Sequence, residues 1–289
     1  RRYTKNALGL VKPRRTRSGE PTLNNITANQ AKYPFVEQIL ADGAAYAQAA
    51  GKTARKYFRQ HNDVTFKDDE SPVTAVDQLI EQDLKQAIAS KYPQDGIFGE
   101  ESGVDGDLNG NLWVIDPIDG TRSFISGNPL FGMLLSYLKN GVPVAGIISM
   151  PMLDELYCGA VGVPATCNGQ PIKVSNQRNI DDCTLYINEG EKMFADHPVV
   201  LARLLKVGKN RRFGYDCYPH SLLSAGHIDA VVDYGLKPYD YLALTVVITA
   251  AGGIMTDWHG NPLDLYSDGA VVAAATPELH GALLALLSG

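Results

Sequence analysis

The residues best suited to chemistry lie in one short stretch, where two carboxylates are followed by glycine and threonine. The stretch reads Asp116-Pro117-Ile118-Asp119-Gly120-Thr121. Carboxylate oxygens that converge on one point suit Mg2+, which proteins commonly hold with a few carboxylates and a substrate phosphate. Gly120 and Thr121 would open a turn or helix whose free backbone N–H groups form a site for an anion. The stretch predicts a metal site beside a phosphate site, although an isolated Asp-x-x-Asp pair is more often an acidic turn.

The element that positions these residues is the apolar run before them. Leu112 to Ile115 are all apolar, which predicts a short buried strand. Pro117 disfavours a regular strand or helix directly after it, since proline lacks a backbone N–H. Asp116 and Asp119 are therefore expected to converge on one point at the end of this strand.

The full run resembles the signature of the inositol monophosphatase family of Mg2+-dependent, lithium-sensitive phosphatases. Its continuation, residues 122–132, is most similar to the histidinol-phosphate phosphatase branch, as are the segments 214–218 and 235–244. The similarity extends from about residue 35 to 287. It implies the layered αβαβα sandwich of the family, which agrees with the α+β character that the mixture of strand and helix patterns predicts.

The resemblance also implies which residues bind metal. Segments 99–102, 116–121 and 238–240 match the three metal motifs of the family in order and content. By this match, Glu100, Asp116 and the backbone carbonyl of Ile118 hold a first Mg2+, and Asp116, Asp119 and Asp240 hold a second, for a total of two or three ions. Carboxylates packed this closely repel one another unless divalent cations lie between them.

The catalytic roles implied by the resemblance follow from the charge of a phosphate ester. Glu100 and Thr121 would position and deprotonate a water molecule for in-line attack, while the metal ions lower the pKa of that water. Asp77 matches the acid that orients the catalytic threonine in the family. An acid in the first turn of a helix is also favoured by the helix dipole, so Asp77 has a second interpretation.

The expected substrate contacts are Asp119, Gly120, Thr121, Asp216, Asp233 and Asp240. Backbone N–H groups of Gly120 and Thr121 would hold phosphate oxygens. Histidinol phosphate carries an amine and an imidazole, and Asp216 or Asp233 could pair with them. Asp216 could equally be the N-cap of a helix that begins at Cys217. Asp233 stands where the family usually has glutamate, so its shorter side chain leaves that contact open.

The functional prediction is a Mg2+-dependent phosphomonoesterase that converts L-histidinol phosphate to L-histidinol and phosphate, a step of histidine biosynthesis. The alternative within the class is an inositol 1-phosphate or other sugar monophosphate phosphatase. A metal-binding regulatory protein without turnover is the alternative from another class. The expected partners are a small phosphorylated metabolite and, by family resemblance, a second copy in a homodimer.

Bulk composition excludes several other classes of protein. The chain has 289 residues, of which 45% are hydrophobic, and this is enough for a substantial core. Its net charge of −6 argues against nucleic-acid binding, which usually requires a basic face. Apolar runs are too short for a membrane span. The four cysteines are scattered without metal-site spacing, which favours reduced thiols in an intracellular protein.

Residues 1–30 differ from the rest of the chain, because seven Lys or Arg residues precede the first acid, Glu20. This basic arm could be a remnant of an organelle-targeting segment, a flexible arm or vector-derived residues. The predicted location is the cytoplasm, or a plastid if the arm is a targeting remnant. Residues 31–180 are expected to form a metal-binding α+β part, and residues 181–289 an α/β part that completes the site.

Apolar periodicity predicts the remaining elements. Helices are expected at 33–59, around 76–84 with an end before Pro93, and at 198–206, 219–225, 239–251 and 277–287. Strands are expected at 97–99, 112–115, 156–160, 183–187, 228–232 and 271–275, with a hairpin of 131–139 and 142–149 around Asn140-Gly141. In the second helix the polar positions are Asp77, Glu81 and Asp83, and the apolar positions are Val76, Leu79, Ile80 and Leu84. The isolated histidines His220, His227, His259 and His280 are expected to lie at the surface or in turns.

Overall fold

The computed structural model of the chain describes residues 33–60, 64–66 and 72–288. The predictions made for the basic arm 1–30 concern residues outside these ranges. Within them, no helix has both the length and the apolar character needed to cross a membrane.

The larger sheet has eight strands, all from the first part of the chain. In chain order they are β3 (Gly96–Gly99), β4 (Gly103–Asp105), β5 (Asn111–Asp119), β6 (Gly132–Lys139), β7 (Val142–Met150), β8 (Glu155–Ala160), β9 (Val163–Cys167) and β10 (Gln170–Pro171). Their order across the sheet is β10-β9-β8-β7-β6-β5-β3-β4. A separate two-stranded hairpin, β1 (Val64–Phe66) and β2 (Pro72–Thr74), precedes it.

The second sheet has five strands in the order β12-β11-β13-β15-β14. These are β11 (Thr184–Asn188), β12 (Asn210–Gly214), β13 (Ala230–Asp233), β14 (Ile254–Asp257) and β15 (Val271–Ala274). Strand β11 runs parallel to both of its neighbours, β12 and β13, and is the middle one of these three parallel strands. The carboxyl ends of these three strands therefore lie side by side at one edge of the sheet, where ligands commonly bind in α/β proteins.

Eight helices complete the described part of the fold. They are α1 (Val36–Tyr57), α2 (Ala75–Lys91), α3 (Thr121–Ser126), α4 (Gly190–Asp196), α5 (Pro198–Leu204), α6 (Tyr218–Ser224), α7 (Pro238–Ala250) and α8 (Pro277–Leu287). Helices α1 and α2 cover one face of the larger sheet, α7 lies between the two sheets, and α5 and α8 cover the outer face of the second sheet. This order confirms the αβαβα sandwich.

Helix α7 is buried around its whole circumference. Every residue from Tyr241 to Ile248 is buried, and this stretch spans more than two helical turns. Gly146 on β7 lies directly beneath α7, where a side-chain carbon would collide with the main chain of Ala243. The glycine therefore allows the helix to approach the larger sheet closely, and α7 forms the shared core between both sheets.

Most predicted elements occur within one to three residues of their expected bounds. The Asn140-Gly141 turn is confirmed, because both residues have positive φ between β6 and β7. The strand predicted at 112–115 is longer than expected, since β5 continues through Pro117 to Asp119. Sequence patterns missed the short or polar strands β1, β2, β4, β9, β10, β12 and β14, and the short helix α4.

Candidate active site

Three carboxylates from two distant segments meet at the end of β5. Asp116, Asp119 and Asp240 each offer an oxygen, and these oxygens all lie within 4.8 Å of one another. Asp116 is 2% exposed, and one of its oxygens, Oδ1, has no hydrogen-bond partner among the described residues. A buried carboxylate oxygen without a partner is costly unless a cation or water satisfies it.

An irregularity in β5 brings the first two acids together. Asp116 pairs with Leu134 and Asp119 with Gly132, so β5 contains one more residue than β6 over this interval. The extra residue makes a β-bulge, which redirects side chains and tolerates proline within the strand. The bulge is therefore the physical reason why Pro117 did not end the strand, contrary to the sequence prediction.

The third acid stands in the first turn of α7. Asp240 Oδ2 accepts a hydrogen bond of 2.6 Å from the backbone N–H of Lys237. A carboxylate in this position is stabilised by the free N–H groups at the helix start. Because α7 lies between the two sheets, its first turn reaches the end of β5.

Glu100 lines the same cavity from the turn after β3. Its backbone N–H donates to the carbonyl of Ile115 on β5. The next two backbone N–H groups, of Glu101 and Ser102, each donate to the carboxylate of Glu81 at 2.8 Å. Glu81 is 2% exposed, so this polar position of α2 is buried and does not face solvent. Its position one helical turn after Asp77 was the available signal, since residues four apart share a helix face.

The electrostatics of the cluster follow from burial and repulsion. Burial raises the pKa of Asp116 well above its ordinary value, and the nearby charges of Glu100 and Asp119 raise it further. Burial raises the pKa of Asp240 to about 6, although the N–H of Lys237 opposes that rise. Without a cation, these acids therefore resist carrying their full negative charge, which is the behaviour of a donor set that fits divalent metal.

Thr121 and Asp77 form a buried pair beside the acids. Thr121 Oγ1 lies 3.1 Å from Asp77 Oδ1 and 3.2 Å from the carbonyl oxygen of Ile118. Asp77 also accepts hydrogen bonds from the backbone and the hydroxyl of Thr74, the N-cap of α2. Asp77 therefore contacts Thr121 and also belongs to a capping box, while its role toward a catalytic threonine stays a prediction.

The acids open into a cavity of about 200 Å3. Its lining includes all the predicted site residues except Asp77, which lies behind Thr121. Asp216 is not the N-cap of α6, because Cys217 takes that position and Asp216 adopts a left-handed conformation with φ of 59°. Its carboxylate instead accepts a hydrogen bond of 2.5 Å from Ser123 Oγ. It also packs against Gly120, where a side chain would collide with it.

Several residues around the cavity were not predicted as site residues, because no sequence motif marks them. Glu189, Lys192 and Tyr234 line its wall, and Asn188 and His220 lie beneath it. The expectation of surface histidines was wrong for His220, which is fully buried, and for His280, which is 8% exposed. The spacing of histidines in the chain indicates whether two of them could bind the same metal ion, but it does not indicate whether either is buried.

The geometry agrees with comparison to known proteins. The sequence profile of the inositol monophosphatase family matches residues 36–289. The chain belongs to the inositol monophosphatase family. It is accordingly a metal-dependent phosphatase that acts on small phosphorylated substrates.

Three relatives illustrate the breadth of the family. The chain is 38% identical over 245 residues to the bifunctional phosphatase IMPL2, chloroplastic, of Arabidopsis thaliana, covering 84% of this chain and 71% of the relative. It is 38% identical over 231 residues to a histidinol-phosphatase of Chlorobaculum parvum, covering 78% and 88%. A solved structure of an inositol monophosphatase from Zymomonas mobilis superimposes with a TM-score of 0.79 at 36% identity, covering 88% of this chain and 98% of that one.

Proposed function

We propose that this family member hydrolyses L-histidinol phosphate to L-histidinol and phosphate, a step of histidine biosynthesis. The observation that carries the proposal is the acidic wall beyond the Asp116–Asp119–Asp240 cluster, where Asp216 and Asp233 line the same cavity. An ester with a cationic amine and imidazole needs such countercharge, whereas a neutral polyol ester does not. The 38% identity to a histidinol-phosphatase supports the same choice.

We propose that Glu100, Asp116 and the Ile118 carbonyl hold one Mg2+, and that Asp116, Asp119 and Asp240 hold another. The oxygen-only donor set, the unpartnered Asp116 Oδ1 and the raised pKa values support this assignment. Bound divalent ions would neutralise the phosphate and lower the pKa of a water molecule. A third ion remains a prediction from resemblance.

The protein's own groups would position the attacking water. Glu100 and Thr121 border the cavity at the acid cluster, and the Thr121 hydroxyl is oriented by Asp77 at 3.1 Å. In this proposal Thr121 Oγ1 accepts a hydrogen bond from the water while it donates its own proton toward Asp77. Burial raises the pKa of Asp77, which makes this carboxylate a better proton acceptor than an exposed aspartate.

Residues at the two ends of the cavity would orient the substrate, one set by its phosphate and the other by its cationic groups. The backbone N–H groups of Gly120 and Thr121 would hold phosphate oxygens, and Gly120 adopts φ of 89°, which glycine tolerates without strain. Asp119 and Asp240 would lie near the leaving oxygen. Asp216 and Asp233 would face the amine and the imidazole.

The test is phosphate release with Mg2+ from L-histidinol phosphate and from inositol 1-phosphate at matched concentrations. A higher kcat/KM for the amine-bearing ester is expected. A preference for inositol 1-phosphate would instead support the second candidate, which the likeness to the Zymomonas mobilis inositol monophosphatase favours.

A further inference from the structure

A buried polar group lies directly beneath the acidic wall of the cavity. It consists of Asn188 and His220, both fully buried, and Asp233, which is 2% exposed. Asn188 Nδ2 donates to Asp233 Oδ2 at 2.8 Å and to the backbone carbonyl of Asp216 at 3.1 Å. A single amide therefore bridges the two acids that form this wall.

The sheet topology explains why Asn188 can reach both acids. Asn188 ends β11, the middle one of the three parallel strands, and Asp233 ends its parallel neighbour β13. Asp216 follows β12, the parallel neighbour on the other side of β11. The residue at the end of β11 is thus flanked by both acids.

This arrangement is unfavourable for stability alone. Within the described residues, Asn188 Oδ1 and both ring nitrogens of His220 have no hydrogen-bond partner. Such buried polar atoms carry an uncompensated desolvation cost, and an apolar side chain of similar shape would avoid it. Asp216 in addition adopts a left-handed conformation that non-glycine residues rarely use. Unfavourable features of this kind concentrate at functional sites.

We propose that Asn188 is a positioning residue that sets specificity for phosphate monoesters with a cationic amine. It fixes the Asp233 carboxylate and the main chain of Asp216 at the spacing that the cationic end of the substrate requires. The inference rests on the proposed function, because it assumes that these two acids face the substrate. A neutral polyol phosphate makes no such demand, so its turnover is independent of Asn188.

The hydrogen bond from Asn188 also acts on the charge state of Asp233. Burial raises the pKa of Asp233 to about 8, and the hydrogen bond from Asn188 opposes that rise. His220 lies 3.9 Å from Asp233 Oδ2, and burial lowers its pKa to about 3, so it supplies no countercharge. Two donors therefore favour the ionised carboxylate: the Asn188 amide, and the backbone N–H of Tyr234 at 2.8 Å from Asp233 Oδ1.

The test compares the variants Asn188→Val and Asn188→Thr. Valine and threonine have nearly the same shape, but only threonine has a hydroxyl group that can donate a hydrogen bond. Both are β-branched residues that suit a strand. For Asn188→Val we expect KM for L-histidinol phosphate to rise about tenfold with little change in kcat, the effect of one lost hydrogen bond to a charged group. The corresponding constants for inositol 1-phosphate should change by less than about threefold, and Asn188→Thr should recover part of the loss.

A control variant is Ser136→Ala, which removes a buried hydroxyl that donates to Ala145 within the larger sheet. A general packing defect would affect both substrates equally, whereas the proposed role separates them. If Asn188→Val is poorly folded, Asn188→Thr and calorimetric binding of L-histidinol supply the comparison. An unchanged substrate preference in a folded variant overturns the role of Asn188 alone. A wild-type chain without preference for the amine-bearing ester overturns the proposed function and this inference together.

Discussion

Individual acids show how much chemistry a sequence can reveal. Asp116 and Asp119 were predictable because their types and spacing, together with the following glycine and threonine, match a known motif. The buried role of Glu81 was not predictable, because an acid within an amphipathic helix ordinarily faces solvent. Only the folded chain shows that its carboxylate accepts hydrogen bonds from two backbone N–H groups in the turn after β3. Contacts between distant segments are the part that local spacing does not encode.

Thr121 permits a sharp test at the residue level. Thr121→Val keeps the shape of the side chain but removes the hydroxyl that contacts Asp77. We expect kcat to fall by about 100-fold or more, which is typical for loss of a group involved in proton transfer. Thr121→Ser keeps the hydroxyl and should retain most activity. Steady-state phosphate release measures both, and equal rates for the two variants would contradict the assigned role.

Among the elements, the turn after β3 depends on α2. Glu81→Gln keeps one acceptor oxygen but presents an N–H to one of the two backbone donors. The Glu100 turn should therefore be displaced, and we expect Mg2+ affinity to fall about tenfold, as for other residues that orient metal ligands. Mg2+ titration by calorimetry measures this change.

A matched control acts on the same turn from the solvent side. Lys85 Nζ contacts Ser102 Oγ at 2.8 Å in an exposed hydrogen bond. Lys85→Ala should leave Mg2+ affinity nearly unchanged, because exposed contacts contribute little. Equal losses in the Lys85 and Glu81 variants would show that the turn is not held through Glu81.

The contact between β7 and α7 gives a second test at this scale. Gly146→Ala places a methyl group against the main chain of Ala243, so we expect a loss of about 1–3 kcal/mol in the free energy of unfolding. Gly281 in α8 is exposed and has open space around it. Gly281→Ala should stabilise by about 0.5–1 kcal/mol, because alanine favours the helix. Urea unfolding distinguishes the two, and a neutral Gly146→Ala would show that the sheet and helix can separate.

At the scale of whole elements, two long apolar runs and the turn chemistry between them made the β6–β7 hairpin predictable. Strand β12 escaped prediction because four of its five residues are exposed, which leaves no apolar pattern. Short strands such as β4 and β10 are defined by their partners and not by their own sequence. Long apolar elements can thus be predicted from a single sequence, and short or exposed edge strands cannot.

For the molecule as a whole, metal should contribute to stability. The cluster of Asp116, Asp119 and Asp240 joins the larger sheet to α7, and its mutual repulsion is relieved by a cation. Mg2+ at 100 times its Kd should therefore add about 2.7 kcal/mol to the free energy of unfolding, and EDTA should remove it. Thermal melting with and without Mg2+ measures this difference.

Asp119→Asn is the control for the metal effect. Its side-chain oxygen can still accept the hydrogen bond from the backbone N–H of Cys217, so the fold should persist. The variant should lose most activity and most of the Mg2+-dependent increase in Tm. A full increase in Tm in this variant would place the metal elsewhere.

The layer order of the molecule was predictable only through resemblance to a known family. A single sequence contains little information about which strands pair when they are far apart in the chain. The division into parts 31–180 and 181–289, and the homodimer, remain proposals. Light scattering would determine whether the mass in solution is twice the 31.3 kDa of the chain.

The burial of α7 has a consequence for how the protein is made. On the ribosome, all eight strands of the larger sheet emerge well before α7, so the sheet face that this helix covers first meets water or a chaperone. Asp240 arrives with the same helix, so the nascent chain acquires its third carboxylate in the step that closes the core. Newly synthesised protein should therefore gain the metal site that includes Asp240 and protease resistance together, late in translation.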